Sequence, residues 1–398
     1  MSIGRSLQPS LDSISLHHDS IVVHGHSRLN GHGDKPADTR QTMKRNNDSI
    51  WVTVGSLEDF IGSVLRHAGL PAADADTVAG LMAQADLQGS DGHGVIRLPQ
   101  YLKRLQAGGI NLRPNIRVAT ERAAMAVVDG DNGMGHLVMS YAAALAIEKA
   151  RTTGVAWVGT RASNHAGPAS LYARMPIEHD MIGLYFAVGN ANHLPPWGGM
   201  EMLLSTNPIA IGIPAGSEPA VVLDMATTVA AYGKVKAKAK RGELMPEGWM
   251  IDRQGQPLLD PTRAHEGFLL PIGGHKGYGL ALMVGLLAGT LNGAAMGRDV
   301  IDFNQDHTTP TNTGQAILVI DLKAFGEPAD FKQAVDRLVR DIRDSERLPG
   351  VERIWLPGEQ SHGRRGEYAA AGIPIASAVS AELDQMAEQL GLEKLVRH

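Results

Sequence analysis

The chain is predicted to be an α/β protein with a mixed sheet, helical at both ends. Three observations carry this reading. From Ala123 onward, β-rich runs alternate with helical patterns; two later runs, PIAIGIP and AVVLDMA, lie too close together for a crossover helix and are expected to pair antiparallel. Amphipathic helical patterns fill the chain before about residue 122 and much of it after Gly274. No linker divides the sequence into independent halves, so one domain is expected to draw on both ends. The boundaries read as 49–122 with 271–398 in one domain, 123–270 in the other, and 1–48 as a disordered extension.

Residues 1–48 are rich in Ser, His, Asn, Asp and Gly and lack hydrophobic periodicity. They have no apolar stretch of the secretory kind, and Asp12, Asp19, Asp34, Asp38 and Asp48 argue against an acid-poor organellar leader. The five histidines from His17 to His32 read as part of a solvated tail rather than a metal-binding tract. Met43 offers an alternative start.

Order is expected from WVTV at residue 51. In SLEDFIGSVLRHAGL, Ser56 and Asp59 have capping-box spacing, Phe60, Val64 and Leu65 make an apolar stripe, and Gly69 supplies a stop. A second helix runs from about Pro71 to Leu87, with proline in its first turn. AMAVVDG, a helix over Leu137 to Thr152, VAWVGT, a helix near Ala169 to Glu178 and MIGLYFAV follow in order. The apolar helix at Tyr278 to Leu291 is shorter than the roughly 18 residues of a bilayer span, so it reads as core or dimer interface. QAILVIDL is a strand; charged and terminal helices follow at Pro328 to Glu346 and Ser380 to Leu395.

Of the 398 residues 43% are hydrophobic and 20% charged, enough for a substantial core in a soluble protein. A net charge of -5 with 5% aromatics leaves no nucleic-acid footprint, and no membrane partner is expected. The basic run KVKAKAKR from Lys234 places charge at every second position, which spreads around a helix and reads as a solvated segment. With Cys 0 there is no disulfide, thiol nucleophile or thiolate metal site; HExxH is also absent, so no metal is expected. A reducing, cytoplasmic setting fits. Neither a Walker A motif nor GxGxxG occurs; the nearest glycine-opened helices are DGDNGMGH at 129–136 and GGHKGYG at 273–279, whose free amides could hold phosphate.

Three histidines sit in glycine-bracketed or polar segments: His93 in SDGHGVIRLPQY, His165 in ASNHAG and His275 in GGHKGYG. If the first segment is helical, His93 and Arg97 project from one face, pairing a titratable imidazole with a guanidinium fork suited to a carboxylate. That pair points to acid/base chemistry on a small carboxylic acid. His275 reads as a loop residue, whereas Lys276 stands at a helix start. Asp224 ends the strand AVVLD and could accept hydrogen bonds from a ribose or cap a helix beginning at Met225.

Laid end to end, DGHGVIRLPQY, DGDNGMG, SNHAG, PPWGG, STNPIAIGIP, DMATT with YGKV, PEGW, GGHKGYG and LPGE resemble the malate/L-lactate dehydrogenase family of type 2, the sulfolactate dehydrogenase-like oxidoreductases, over about residues 50–375. The resemblance implies NAD- or NADP-dependent interconversion of a small 2-hydroxy acid and its 2-oxo acid, or reduction of a cyclic imino acid. It implies a non-Rossmann cofactor domain, with a largely antiparallel sheet flanked by helices, in a homodimer. By the same likeness His93 would be the proton donor and acceptor, Arg97 would hold the substrate carboxylate, and His165 would stand near the reacting centre. Asn190, Thr206, Asn207, Asp224, Met225, Ala226, Lys276, Gly277, Gly358 and Glu359 would lie around the coenzyme.

Two departures from the family pattern stand out. Gly92 replaces the serine that usually precedes the catalytic histidine, leaving Ser90 or Asp91 as substitutes for its hydroxyl. In NANHLPPWGG, Asn190 replaces a serine and His193 stands where small apolar residues are common. A catalytically silent scaffold is the rival from another class, and the retained His93, Arg97 and Lys276 argue against it.

Overall fold

The computed structural model describes residues 49–398, except the side chains of 240 and 241, so the disordered extension read at 1–48 and its histidines lie outside the described residues. Strand β1 (Ser49–Val52) leads into helices α1 (Val54–His67) and α2 (Ala72–Leu87). Thr53 caps α1, its Oγ1 accepting from the Ser56 amide at 3.1 Å. The cap therefore lies ahead of the Ser56/Asp59 box. Thr53 has the extended backbone a cap needs, whereas Ser56 is already inside the helix. Gly69 (φ +100°) turns the chain out of α1.

After α2 come α3 (Leu98–Gln106), β2 (Arg117–Arg122), β3 (Met125–Gly133), α4 (Gly135–Thr153), β4 (Val155–Ser163) and α5 (Ser170–Arg174). Helix α5 is shorter than its apolar pattern predicts. Pro176 cannot donate to the carbonyl four residues back, and Met175–His179 continues as a 3₁₀ turn. Strands β5 (Met181–Ala187), β6 (Ile209–Ile213) and β7 (Val221–Met225) precede α6 (Tyr232–Arg241), the hairpin of β8 (Met250–Asp252) with β9 (Gly267–Leu269), and α7 (His275–Ala288). The chain ends with β10 (Gln315–Asp321), α8 (Pro328–Asp344), α9 (Glu359–Ala371), β11 (Ile373–Ala376) and α10 (Ser377–Leu390).

The seven-stranded sheet has the order β2-β3-β4-β10-β5-β6-β7. Only β3 and β4 run parallel, and the 19-residue α4 between them makes the crossover. All other neighbours are antiparallel, including β6 and β7, as their short spacing predicts. The sheet is thus mixed and largely antiparallel, with no Rossmann strand order. β10 comes from the C-terminal part of the chain yet lies in the middle of the sheet, and five of its seven residues are buried.

Two apolar clusters form the main core. One joins Leu57, Ile61, Leu65, Met82 and Leu98 to Ile373 and Leu383, and β1 pairs with β11 at its edge, so the two ends of the described chain meet. The other packs Val138, Ala142 and Ala146 of α4 on Val128, Val158, Ile317 and Val319 of the sheet. In α6 Val235 is buried while Lys234 and Lys236 are exposed, as expected of a solvated basic run. Two local readings change. No helix begins at Met225, which ends β7, so Asp224 is not an N-cap; and His275 is the first residue of α7, because Gly273 (φ +57°) and Gly274 (φ +65°) complete the turn before it.

Candidate active site

The site begins with a buried acid. Asp86, near the end of α2, accepts the Val95 amide at 2.7 Å, and burial raises its carboxyl pKa to about 8. A Cβ on Gly94 would stand 2.0 Å from the Asp86 carboxylate, so the chain can pass here only as glycine. This tether replaces the single helix expected for residues 93–97 by two 3₁₀ turns, Asp91–His93 and Val95–Arg97, with Gly94 between them. Arg97 folds back, its Nε donating to the Gly92 carbonyl at 2.8 Å, and its Nη1 reaches Asn304 Oδ1 at 3.4 Å.

His165, in the loop after β4, comes to His93 from 72 residues further on. The rings stack nearly parallel, 5.3 Å apart at 7°, with His93 Nδ1 3.3 Å from His165 Nε2. The other side of His165 faces Tyr101, whose hydroxyl is 2.5 Å from Nδ1. The Gly167 amide also points at that Nδ1, at 3.3 Å. An amide can only donate, so Nδ1 is an acceptor and Nε2 carries the hydrogen of the neutral ring. It follows that His165 donates to His93 Nδ1, and His93 keeps its own hydrogen on Nε2. His136 meets Tyr101 edge-on at 5.6 Å, and Phe303 closes the cluster against Tyr101 and His165.

Burial keeps the cluster uncharged. It lowers the His93 pKa to about 4, with the Arg97 charge adding to the effect, and that of His136 to about 3, with His93 adding. His165 lies well below the usual range, through burial first and then His93, Arg97 and His136. Burial likewise pushes the Tyr101 phenol well up. The result is a neutral relay from Tyr101 through His165 to His93 Nε2–H, beside a fixed cation, able to pass one proton and orient one carboxylate.

The residues expected around the coenzyme fall into three settings. Asp224 accepts the Ser170 amide at 2.8 Å, and Gln88 donates to Ser170 Oγ at 3.1 Å, which ties β7 to the start of the His93 segment. Burial raises the Asp224 pKa against the bonds from Ser170 and the charge of Arg174. Met225 and Ala226 continue this strand to Thr227, which donates to the Thr206 carbonyl through N at 2.8 Å and Oγ1 at 2.9 Å. Asn207 (φ +20°) accepts from Gly189 N at 3.0 Å and donates to the Ala281 carbonyl of α7 at 2.8 Å, while Asn190 donates to Thr313 Oγ1 at 3.0 Å.

Lys276 is exposed on the first turn of α7, and Gly277 packs so tightly that a Cβ would lie 2.1 Å from the Ile272 carbonyl. Gly358 (φ +81°) lies against Val222, and the Glu359 carboxylate is taken up by Leu356 N at 3.1 Å, Arg343 at 3.2 Å and Arg353. No hydrogen bond among the described residues joins these last two to the histidine cluster.

Sequence reasoning missed Tyr101, Asp86, His136 and the 302–304 turn. Tyr101 was signalled by its place four residues after Arg97 in the same motif. Asp86 was signalled as an acid late in an otherwise apolar helical stretch. The side chains of Ser90 and Asp91, the proposed stand-ins for the absent serine, make no hydrogen bond to the His93 ring: the Ser90 carbonyl accepts the His93 amide at 2.8 Å, and its Oγ accepts from Gln88 at 3.3 Å.

The histidine cluster and Arg97 accompany a mixed non-Rossmann sheet, and comparison with known proteins places the chain among the hydroxy-acid dehydrogenases. It belongs to the malate/L-lactate dehydrogenase family, whose profile matches residues 52–384. It is 39% identical over 355 residues to malate dehydrogenase of Pyrococcus horikoshii, covering 87% of this chain and 97% of that one. The solved structure of that enzyme superposes with a TM-score of 0.80 at 36% identity over 88% of this chain and 98% of the other. L-sulfolactate dehydrogenase of Methanocaldococcus jannaschii is 38% identical, with 84% and 95% covered. A delta(1)-pyrroline-2-carboxylate/delta(1)-piperideine-2-carboxylate reductase of Pseudomonas syringae is 34% identical, with 89% and 98% covered.

Proposed function

We propose that the protein interconverts a small 2-hydroxy acid and its 2-oxo acid, with His93 as proton donor and acceptor and Arg97 holding the substrate carboxylate. The single observation that carries this is the orientation of the relay. Because Gly167 and Tyr101 both address Nδ1 of His165, the one relay hydrogen left over is on His93 Nε2. In reduction that hydrogen goes to the carbonyl oxygen, the His165 Nε2 hydrogen moves to His93 Nδ1, and His165 regains a proton from solvent, so one proton is consumed. In oxidation the steps reverse: the hydroxyl proton enters at the vacant His93 Nε2, the Nδ1 hydrogen returns to His165 Nε2, and one proton leaves to solvent. Such general acid/base help is worth about 10² to 10⁴ in rate. His93 and His165 both keep partial exposure, which gives solvent access to the end of the relay. NAD or NADP, when bound, supplies or takes the hydride at the carbon that carries this oxygen.

The residues present fit such a coenzyme. Two left-handed glycines open α7, a side chain on Gly273 or Gly279 would meet nothing within 4 Å, and Lys276 stands exposed on the same turn. Free amides at such a helix start suit a phosphate. Thr206, Asn207 and the strand end at Asp224 to Ala226 reach the same region through Thr227 and Ala281, with Asn190 on the loop beside it, and Gly358 with Glu359 brace β7 from behind. The two large apolar clusters favour a division into 49–122 with 271–398 and 123–270, with β10 and α7 packed on the sheet side and Met134 and Leu137 on the other.

A second copy of the chain is the partner we propose for α7, whose Leu280, Met283, Leu286 and Leu287 are exposed. The cyclic imino acid reading is favoured by one observation, the similarity to the pyrroline/piperideine carboxylate reductase. It needs the same clamp and proton donor. Steady-state assays with pyruvate, oxaloacetate and piperideine-2-carboxylate test the two readings: the hydroxy-acid reading predicts turnover of a 2-oxo acid, and turnover of the imino acid alone would replace it.

A further inference from the structure

Arg104, in the last turn of α3, has no exposed surface. Its guanidinium is held by carbonyls: Nη1 donates to that of Asp306, and Nη2 to those of Thr309 at 2.7 Å and Gly109 at 3.1 Å. Its central carbon lies 4.7 Å from the centroid of the Phe303 ring. A Cβ on Gly109 would stand 2.2 Å from the His307 carbonyl and 3.0 Å from Arg104 Nη2, so only glycine lets the exit of α3 and the 303–309 segment come this close. Burying a cation is costly, and a position that only filled space would take an apolar side chain, as Leu102 and Leu105 do beside it. The charge fixes the path of the segment.

That segment touches each part of the site. Phe303 packs on Tyr101 at 5.9 Å and on His165 at 6.0 Å between ring centroids, and its amide donates to the Asn190 carbonyl at 2.9 Å. Asn304 Oδ1 accepts from Arg97 Nη1 at 3.4 Å, and the Asn304 amide donates to Asp302 Oδ1 at 2.8 Å. Gln100 donates to the Phe303 carbonyl at 2.7 Å. At the far end Asp306 Oδ1 accepts from Thr309 N at 2.8 Å and Thr308 N at 3.0 Å, and bonds from these two threonines hold its carboxyl well below the usual range. Arg97, Gln100, Tyr101 and Arg104 follow one another at the three- and four-residue steps of a helix face. One strip of chain thus carries the clamp, the relay tyrosine and both anchors of the segment.

We infer that Arg104 is a positioning residue for the reaction: by fixing the 303–309 segment it holds Phe303 on the relay and Asn304 on the clamp, an inference that rests on the roles proposed for His93 and Arg97. Arg104 itself touches no reacting group. Lysine does not replace it, because an ammonium lacks the planar fork that reaches carbonyls on both sides.

The test is kcat and KM for oxidation of malate and lactate with NAD and NADP, over about pH 4 to 8, in the intact wild type, Arg104→Lys, Phe303→Leu and the double variant. In Arg104→Lys kcat is expected to fall about 10- to 100-fold, the cost of a misplaced catalytic group, with a rise in KM for the acid. Phe303→Leu falls less, and the double variant is no worse than Arg104→Lys, whose lysine has already released the ring. Oxidation needs His93 Nε2 free, so kcat drops as pH falls through the pKa of that ring. Burial, with the charge of Arg97, holds His93 at about 4; burial, with His93, Arg97 and His136, holds His165 well below its usual range, and Tyr101 is bonded to it. Water admitted beside Phe303 weakens the first cause, so the acid limb moves up towards 6.5 in both single variants. Gly109→Ala, which displaces the anchor without removing the charge, should move the limb in the same direction and keeps the inference testable if Arg104→Lys folds poorly. An unmoved limb with losses confined to Tm, or losses that multiply in the double variant, would overturn it. Failure of the wild type with every 2-hydroxy acid is a different result: it removes the hydroxy-acid reading, and this inference with it.

Discussion

His93 owes its chemistry to what its neighbours donate. Gly167 and Tyr101 fix the tautomer of His165, and His165 fixes that of His93. Gly92 carries no hydroxyl for this task, and the hydroxyl that the cluster does hold is that of Tyr101, on His165. A side chain on Gly92 would meet nothing within 4 Å, so Gly92→Ser should fold normally and change kcat by less than about threefold; a large gain on this substitution would show that the relay through Tyr101 is not the working one.

The depressed histidines also set a pH limit. Their folded pKa lies below the unfolded 6.5, so they contribute stability above 6.5 that is lost as pH falls towards about 4, each at roughly 1.4 kcal/mol per pH unit. Asp86 has the opposite sign. Its pKa is raised to about 8, so its contribution is full below 3.8 and lost as pH rises through 8. Asp86→Asn keeps an acceptor for Val95 and should flatten the part of the pH profile of Tm that Asp86 sets between about pH 4 and 8; an unaltered profile would contradict the buried-acid assignment. His93, Arg97 and His165 were legible in the sequence because glycine or polar neighbours advertise them. Asp86 and Tyr101 were not, since an acid in a helix and an aromatic in an amphipathic stripe look like surface and core until the fold brings them together.

At the level of elements, periodicity and spacing located most strands and helices, and the errors were at ends. Thr53 displaced the expected cap of α1, Pro176 cut α5 short, and Gly94 with Asp86 broke the expected helix at 93–97. The place of β10 was not legible. An apolar run shows that a strand is buried, but not which neighbours it pairs with, and β10 lies between β4 and β5, more than 100 residues away. Element ends also carry stability. Asp336 of α8 accepts from the amides of Gly216, Ser217 and Glu218, and those bonds hold its carboxyl well below the usual range. Asp336→Ala should lower Tm by several degrees at pH 7 and leave KM unchanged, and thermal melts beside kinetics check both.

For the whole molecule, one mixed, largely antiparallel sheet underlies a chain of the malate/L-lactate dehydrogenase family. The exposed apolar side of α7 predicts a dimer, and Met283→Glu, at a residue 52% exposed, should yield monomers by light scattering; an unaltered mass for the variant would place the interface elsewhere. His93, we propose, transfers the proton in a nicotinamide-linked reduction of a 2-oxo acid. The most direct test of this proposal is oxidation of NADH and NADPH by the protein with oxaloacetate, sulfopyruvate and pyruvate, in the wild type and His93→Ala, with coenzyme affinity measured alongside. Turnover is expected to fall by about 10² to 10⁴ in His93→Ala while coenzyme binding is kept. Equal turnover in the variant, or none in the wild type despite bound coenzyme, would contradict it.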